Sequence, residues 1–198
     1  MTRSSTLAAR AILGLALLGL ALPALAHAVQ AQRTLRLELR EDRTDALLSM
    51  VLPKGPLTTA IVGPPPGSLP GEEKGAAQAR VWGARAEPEA LRGLAVSVIA
   101  RAGVADALPV ADKLPFETLE ASASQTGQGA LKSALLLRAR AIVSGESLRL
   151  EATAGLPLTV ELIAPTGTAL VLLEGLGDSR AGGLTARPRK GTPAVVRV

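Results

Sequence analysis

The sequence contains no cysteine and no tyrosine, a single histidine, and only two aromatic side chains, Trp82 and Phe116. Each absence removes a class of chemistry. Without cysteine there is no disulfide, no thiolate nucleophile or metal ligand, and no lipid-modified N-terminal cysteine. With one histidine, at position 27, the usual combinations of nucleophile, base and orienting group cannot be assembled in the body of the chain. Sugar sites and single-stranded nucleic-acid sites rest on aromatic platforms, which two rings scarcely provide. Ser133 beside Lys132 would set a nucleophile and its base on opposite faces of a strand. Paired carboxylates are available, yet two rings scarcely provide the platforms to hold a glycoside between them. The expectation is a protein that is not an enzyme, with no catalytic residue and no cofactor.

What is present begins with the N-terminus. Met1 to Arg10 carries two arginines and no acid, Ala11 to Leu22 is an unbroken apolar run, Pro23 stops a helix, and small residues follow. That order reads as a secretory signal peptide, an apolar helix ahead of an A-x-A cleavage site. Cleavage after Ala26 is preferred over Ala28 and Ala31, making residues 1–26 the signal and 27–198 one mature domain. The apolar run is shorter than the roughly 20 residues that span a bilayer. No stable membrane insertion is expected after cleavage, and the expected location is periplasmic or extracellular. Cleavage removes Arg3 and Arg10 but no acid, lowering the net charge from +5 to +3. The one basic cluster, Arg187, Arg189 and Lys190, reads as a solvated turn in preference to an anionic docking patch. With no concentrated basic face, no nucleic acid is expected as a partner.

Beyond residue 31 the pattern is that of strands. Leu35, Leu37 and Leu39 alternate with Arg36, Glu38 and Arg40, a period of two that marks a half-buried strand. A polar turn at residues 41–45 and an apolar run from Ala46 to Leu52 complete an antiparallel hairpin. Residues 57–62 and 78–82 read as further short strands, and 87–92 as the one short helix, with Pro88 in its first turn. Leu94 to Ala100 is β-branched and reads as a buried strand, and 103–115 as irregular. Strands recur at 116–123, 131–143, 147–153, 158–164, 168–173 and 194–198, with turn chemistry between them, including all of 175–183. Residues 130–141 suit a helix by composition and a strand by context; they are read as strand. The Pro/Gly-rich stretch at 63–75 reads as an exposed loop. The fold class expected is all-β, a single antiparallel β-sandwich preceded by a signal-peptide helix.

Two features bear on function. Leu148 to Glu174 (LRLEATAGLPLTVELIAPTGTALVLLE), with the Ala26-His27 start and Leu35 to Leu39, resembles the exported β-rich domain preceding the membrane part of nickel/cobalt permeases of the hydrogenase/urease accessory type. The resemblance implies a β-rich exported fold and carries no diagnostic ligand. The second feature is His27 itself. A mature chain beginning His-Ala would chelate copper through its α-amino group and imidazole, as exported copper-binding proteins and oxidative polysaccharide monooxygenases do. Those proteins complete the site with further histidines; here the thioether of Met50 or a carboxylate would have to serve. His27 is the candidate metal ligand, and periplasmic copper or nickel handling the alternative function. Glu38, Glu41, Asp42 and Asp45 cluster at the first hairpin tip with an arginine among them and no glycine for the bend, and read as a solvated tip in preference to a calcium loop. The leading expectation is an exported, non-catalytic binding or scaffolding module. A protein partner would pair with an edge strand, and Ala194, Val195, Val196 and Val198 are the candidate contacts, since a short apolar strand with few charges can pair with another chain.

Overall fold

The computed structural model describes residues 30–63, 74–100, 111–126, 129–180 and 183–198. The proposed signal peptide, its cleavage positions up to Ala28, His27 and most of the 63–75 stretch lie outside them. Twelve strands occur among the described residues: β1 (Gln32–Leu39), β2 (Arg43–Leu52), β3 (Leu94–Ile99), β4 (Ala111–Lys113), β5 (Glu117–Gln125), β6 (Leu131–Arg140), β7 (Ser147–Ala152), β8 (Leu158–Ile163), β9 (Val171–Glu174), β10 (Gly177–Arg180), β11 (Gly183–Ala186) and β12 (Ala194–Arg197). Two helices, α1 (Pro56–Val62) and α2 (Lys74–Leu91), separate β2 from β3. Neither is long and apolar enough to cross a membrane.

The strands form a seven-stranded sheet in the order β10-β11-β8-β1-β2-β6-β5 and a five-stranded sheet in the order β4-β3-β7-β12-β9. Register carries the period-two pattern across strand boundaries. Leu35 opposes Leu48 and Val160, Leu37 opposes Ala46 and Leu162, and Leu48 and Ala46 oppose Leu135 and Leu137. One face of the larger sheet is therefore continuous aliphatic surface. Val96, Val98, Leu148, Leu150, Ala194 and Val196 of the smaller sheet join it in one core. Helix α2 lies against β5 and β6 and adds Trp82, Ala86 and Ala90 to the same core. The approach is close: a Cβ on Gly83 would lie 2.5 Å from the Ala121 carbonyl and the Ser122 amide nitrogen, so glycine sets this spacing.

Several expectations are corrected. The sheet is mixed, since β1 and β8 run parallel while its other pairs are antiparallel. Residues 57–62 are helical because Pro56 occupies the first turn, where a missing N–H costs nothing. Residues 78–82 belong to α2, whose alanine-rich composition favours helix, and the short helix expected at 87–92 is the end of this 18-residue element with Pro88 inside it. Within 175–183, residues 177–180 form β10, which pairs with β11. The ambiguous 130–141 run is strand from Leu131 to Arg140, as read.

Among the described residues one charged side chain is buried in the core. Arg33 has the same parity as Leu35 and is 1% exposed. Its Nε donates to Leu156 O at 3.1 Å, Nη1 to Ala90 O at 2.9 Å and Arg92 O at 2.6 Å, and Nη2 to Ala154 O at 2.9 Å and Leu156 O at 2.8 Å. All five guanidinium N–H groups are thus used, on carbonyls alone. Burial pulls the Arg33 pKa below its ordinary value, and the charge of Glu89 offsets part of that. Ala90 O and Arg92 O belong to the C-terminal end of α2, where a helix dipole favours positive charge. Gly93 and Gly155, at φ +63° and +80°, turn the backbone around the guanidinium; a Cβ at Gly155 would meet Arg33 Cζ at 3.1 Å.

Candidate binding surface

The face of the seven-stranded sheet turned away from the core carries rows of side chains fixed by register. Arg36, Leu47 and Leu136 form one row across β1, β2 and β6, and Glu38, Asp45 and Arg138 the next. On β5 the register shifts between Thr118 and Glu120, a bulge that leaves Leu119 without a partner on β6. A bulge re-aims a side chain, and this one brings Leu119 to the groove that Leu47 and Leu136 line. The three leucines are 40–41% exposed. The groove has a volume of about 410 Å³ and is rimmed by Arg36, Arg40, Arg138, Glu38 and Asp45.

The rim is an ordered ion lattice. Asp45 receives Arg40 Nε at 3.0 Å, Arg43 Nε at 3.1 Å and Arg138 Nε at 3.3 Å. Glu38 is held by Arg36 at 3.1 Å and Arg40 at 3.2 Å. Partial burial pushes the Asp45 carboxyl up, but hydrogen bonds from Arg43 and Arg138 and the charges of Arg43 and Arg40 outweigh it and hold the pKa below the ordinary value. Glu146 behaves alike: burial raises it, while Arg140 and the Val143 amide bring it below. A carboxylate depressed in the fold stabilises above its unfolded pKa and loses that contribution as pH falls through the folded value. The melting temperature is therefore expected to drop as pH falls below about 4, and Asp45→Asn to lower it at pH 7 and flatten the acid limb. A melting temperature equal at pH 7 and pH 3 would show that these contacts add nothing.

The surface offers recognition chemistry. Its carboxylates are occupied as ion pairs, three arginines face two acids along the groove, and a planar guanidinium has donors to spare beyond the single nitrogen that each acid engages. An apolar floor under such a rim suits an apolar side chain flanked by acidic groups.

The residues singled out in the sequence fall elsewhere. β12 is not an edge: it lies between β7 and β9, with Ala194 opposite Leu150 and Val196 opposite both Leu148 and Leu172. Ala194, Val195, Val196 and Val198 are buried, and the strand is apolar because it is interior. The edges among the described residues are β10 and β5 of one sheet and β4 and β9 of the other. Met50 is fully buried among core leucines and presents no thioether at the surface. His27 lies outside the described residues. Glu38 and Asp45 at the hairpin tip are engaged by arginines, and no group of three acids or histidines able to hold a metal occurs among the described residues. Ser133 is buried, its hydroxyl without a partner among the described residues, and Lys132 is exposed on the opposite face. The groove had one visible signal, leucines at consecutive strand positions in Leu47-Leu48 and Leu135-Leu136-Leu137, where a half-buried strand needs them only at alternate ones. No protein-family model matches the chain, and no curated protein sequence matches it.

Proposed function

We propose that the chain is an exported, non-catalytic binding module that docks a protein segment in the groove of Leu47, Leu119 and Leu136. The observation that carries this reading is the β5 bulge, which adds a third leucine to a solvent-facing apolar floor and sets it inside a fixed arginine rim. The segment it suits presents an apolar side chain between acidic ones, since Arg36, Arg40 and Arg138 outnumber Glu38 and Asp45. Export rests on the order of charge, apolar run and small residues before position 27.

A synthetic peptide of alternating Glu and Leu is the probe. It is expected to shift amide resonances of β2, β5 and β6, and Leu136→Glu to weaken its binding at least tenfold, about 1.4 kcal/mol, without lowering the melting temperature appreciably. Equal binding by the wild type and the Leu136→Glu variant would remove the groove from consideration. The position of His27 directly after Ala26 favours a second reading, copper or nickel handling. An intact mass starting at His27, with copper binding abolished by N-terminal acetylation, would support it; a start at Val29 or Gln32 discards the ligand.

A further inference from the structure

The basic cluster near the C-terminus is a solvated turn, as read, and a closed one. Arg189 and Thr192 exchange both backbone hydrogen bonds, at 3.0 Å and 2.9 Å, so residues 189–192 close a tight hairpin with Gly191 at φ +77°. Pro188 is buried between exposed Arg187 and Arg189 and anchors the loop. Arg187 pairs with Asp178 at 2.9 Å. Among the described residues, the side chains of Arg189 and Lys190 make no hydrogen bond or ion pair, so two cations are held on a closed backbone turn without a direct partner.

Opposite this loop lies the β7–β8 turn, and between the two is a cleft of about 420 Å³. Its lining includes Arg187, Arg189, Lys190, Thr153, Thr159 and Gly155, and no carboxylate. The buried Arg33 orders the turn from behind by taking the Ala154 and Leu156 carbonyls. The Ala154–Gly155 peptide is trans, so its N–H points opposite to its C=O. With Ala154 O drawn inward to Arg33, the Gly155 N–H is aimed away from the core, and it has no protein acceptor among the described residues. The cleft thus brings together guanidinium, ammonium, hydroxyl and backbone N–H donors without an acceptor of negative charge.

We infer that this cleft binds a phosphate-bearing ligand. An arginine fork, a lysine point charge, the Thr159 hydroxyl and a free backbone amide match the several acceptor oxygens of a phosphoryl group, the Thr153 hydroxyl being donated to Gly93 O at 3.3 Å, and the rigid loop and turn lower the ordering cost of capture. The phosphate could come from a small phosphorylated compound or from a lipid headgroup.

The test titrates the full processed chain with pyrophosphate and, separately, with phosphatidylglycerol vesicles. Saturable binding is expected, at least tenfold weaker in Arg189→Glu/Lys190→Glu and unchanged in Lys113→Glu/Lys132→Glu, which makes the same charge change outside the cleft. Saturation by pyrophosphate assigns a soluble ligand, and binding to vesicles alone assigns a headgroup. No binding in either arm overturns the site, as does equal loss in both double variants, which would reduce the effect to net charge. The Trp82 emission spectrum checks that each variant is folded, and Lys190→Ala, which removes an exposed side chain without a partner, repeats the comparison if the charge reversal is not.

Discussion

Replacing Arg33 with methionine is expected to remove at least about 3 kcal/mol of folding stability, a large part of what a domain of this size possesses. Methionine matches the aliphatic stem, so packing is nearly kept. What is lost is the partner of four carbonyls, Ala90 O, Arg92 O, Ala154 O and Leu156 O, drawn together around one buried guanidinium. A buried polar group without a partner costs roughly 1–3 kcal/mol, and some of the four will find water. Arg33→Lys should fall between the two, because an ammonium has three donors against five and no planar fork. Urea unfolding followed by Trp82 fluorescence measures this. Hydrogen exchange should speed first at residues 89–93, where the end of α2 loses its cap. An Arg33→Met protein within about 0.5 kcal/mol of wild type would mean that the carbonyls are satisfied without the guanidinium.

Trp82→Ala is expected to cost about 3–5 kcal/mol, the range for removing a large buried ring. The residue is 5% exposed and is the largest side chain between α2 and the seven-stranded sheet, in a core otherwise built from Leu, Val, Ile, Ala and Met. Its indole Nε1 is buried without a hydrogen-bond partner among the described residues. Trp82→Phe keeps most of the ring and removes that desolvated N–H, so the lost area is offset by about 1–3 kcal/mol of relieved cost, and the variant should lie much nearer wild type than Trp82→Ala. Circular dichroism during thermal unfolding reads both. Equal destabilisation by Phe and Ala would show that the N–H makes a stabilising bond.

How far these features could be read from the residues follows from contrast in polarity. Strands with one leucine face and one charged face, such as Leu35 to Leu39 and Leu158 to Leu162, declare themselves. The long helix does not, because much of its buried stripe is alanine: Ala77, Ala86 and Ala90 differ too little from their neighbours to produce a clear period, and residues 78–82, ending in Trp82, read as a short strand. β10, with the sequence Gly-Asp-Ser-Arg, has no apolar alternation and is a strand only because β11 pairs with it. Arg33 shares the parity of Leu35, yet an arginine at the start of a strand is not read as buried, and nothing in the sequence names its carbonyl partners. Of the candidate groove, Leu47 and Leu136 carry a signal that the strand pattern alone does not single out, leucines on the charged side of their strands. Leu119 did not, since the side taken by a residue at a bulge depends on a register shift that only the paired strand imposes.

β1, the first strand among the described residues, is also the middle of its larger sheet, flanked by β2 and, in parallel, by β8. Synthesis delivers β2 at once, yet most of the chain must emerge before the other side of β1 is covered. Contacts so distant in sequence slow the search for the native state, and until β8 arrives, β1 carries an unpaired edge open to any neighbouring chain. Closing the larger sheet around β1 therefore waits on β8, a strand more than a hundred residues further along the chain.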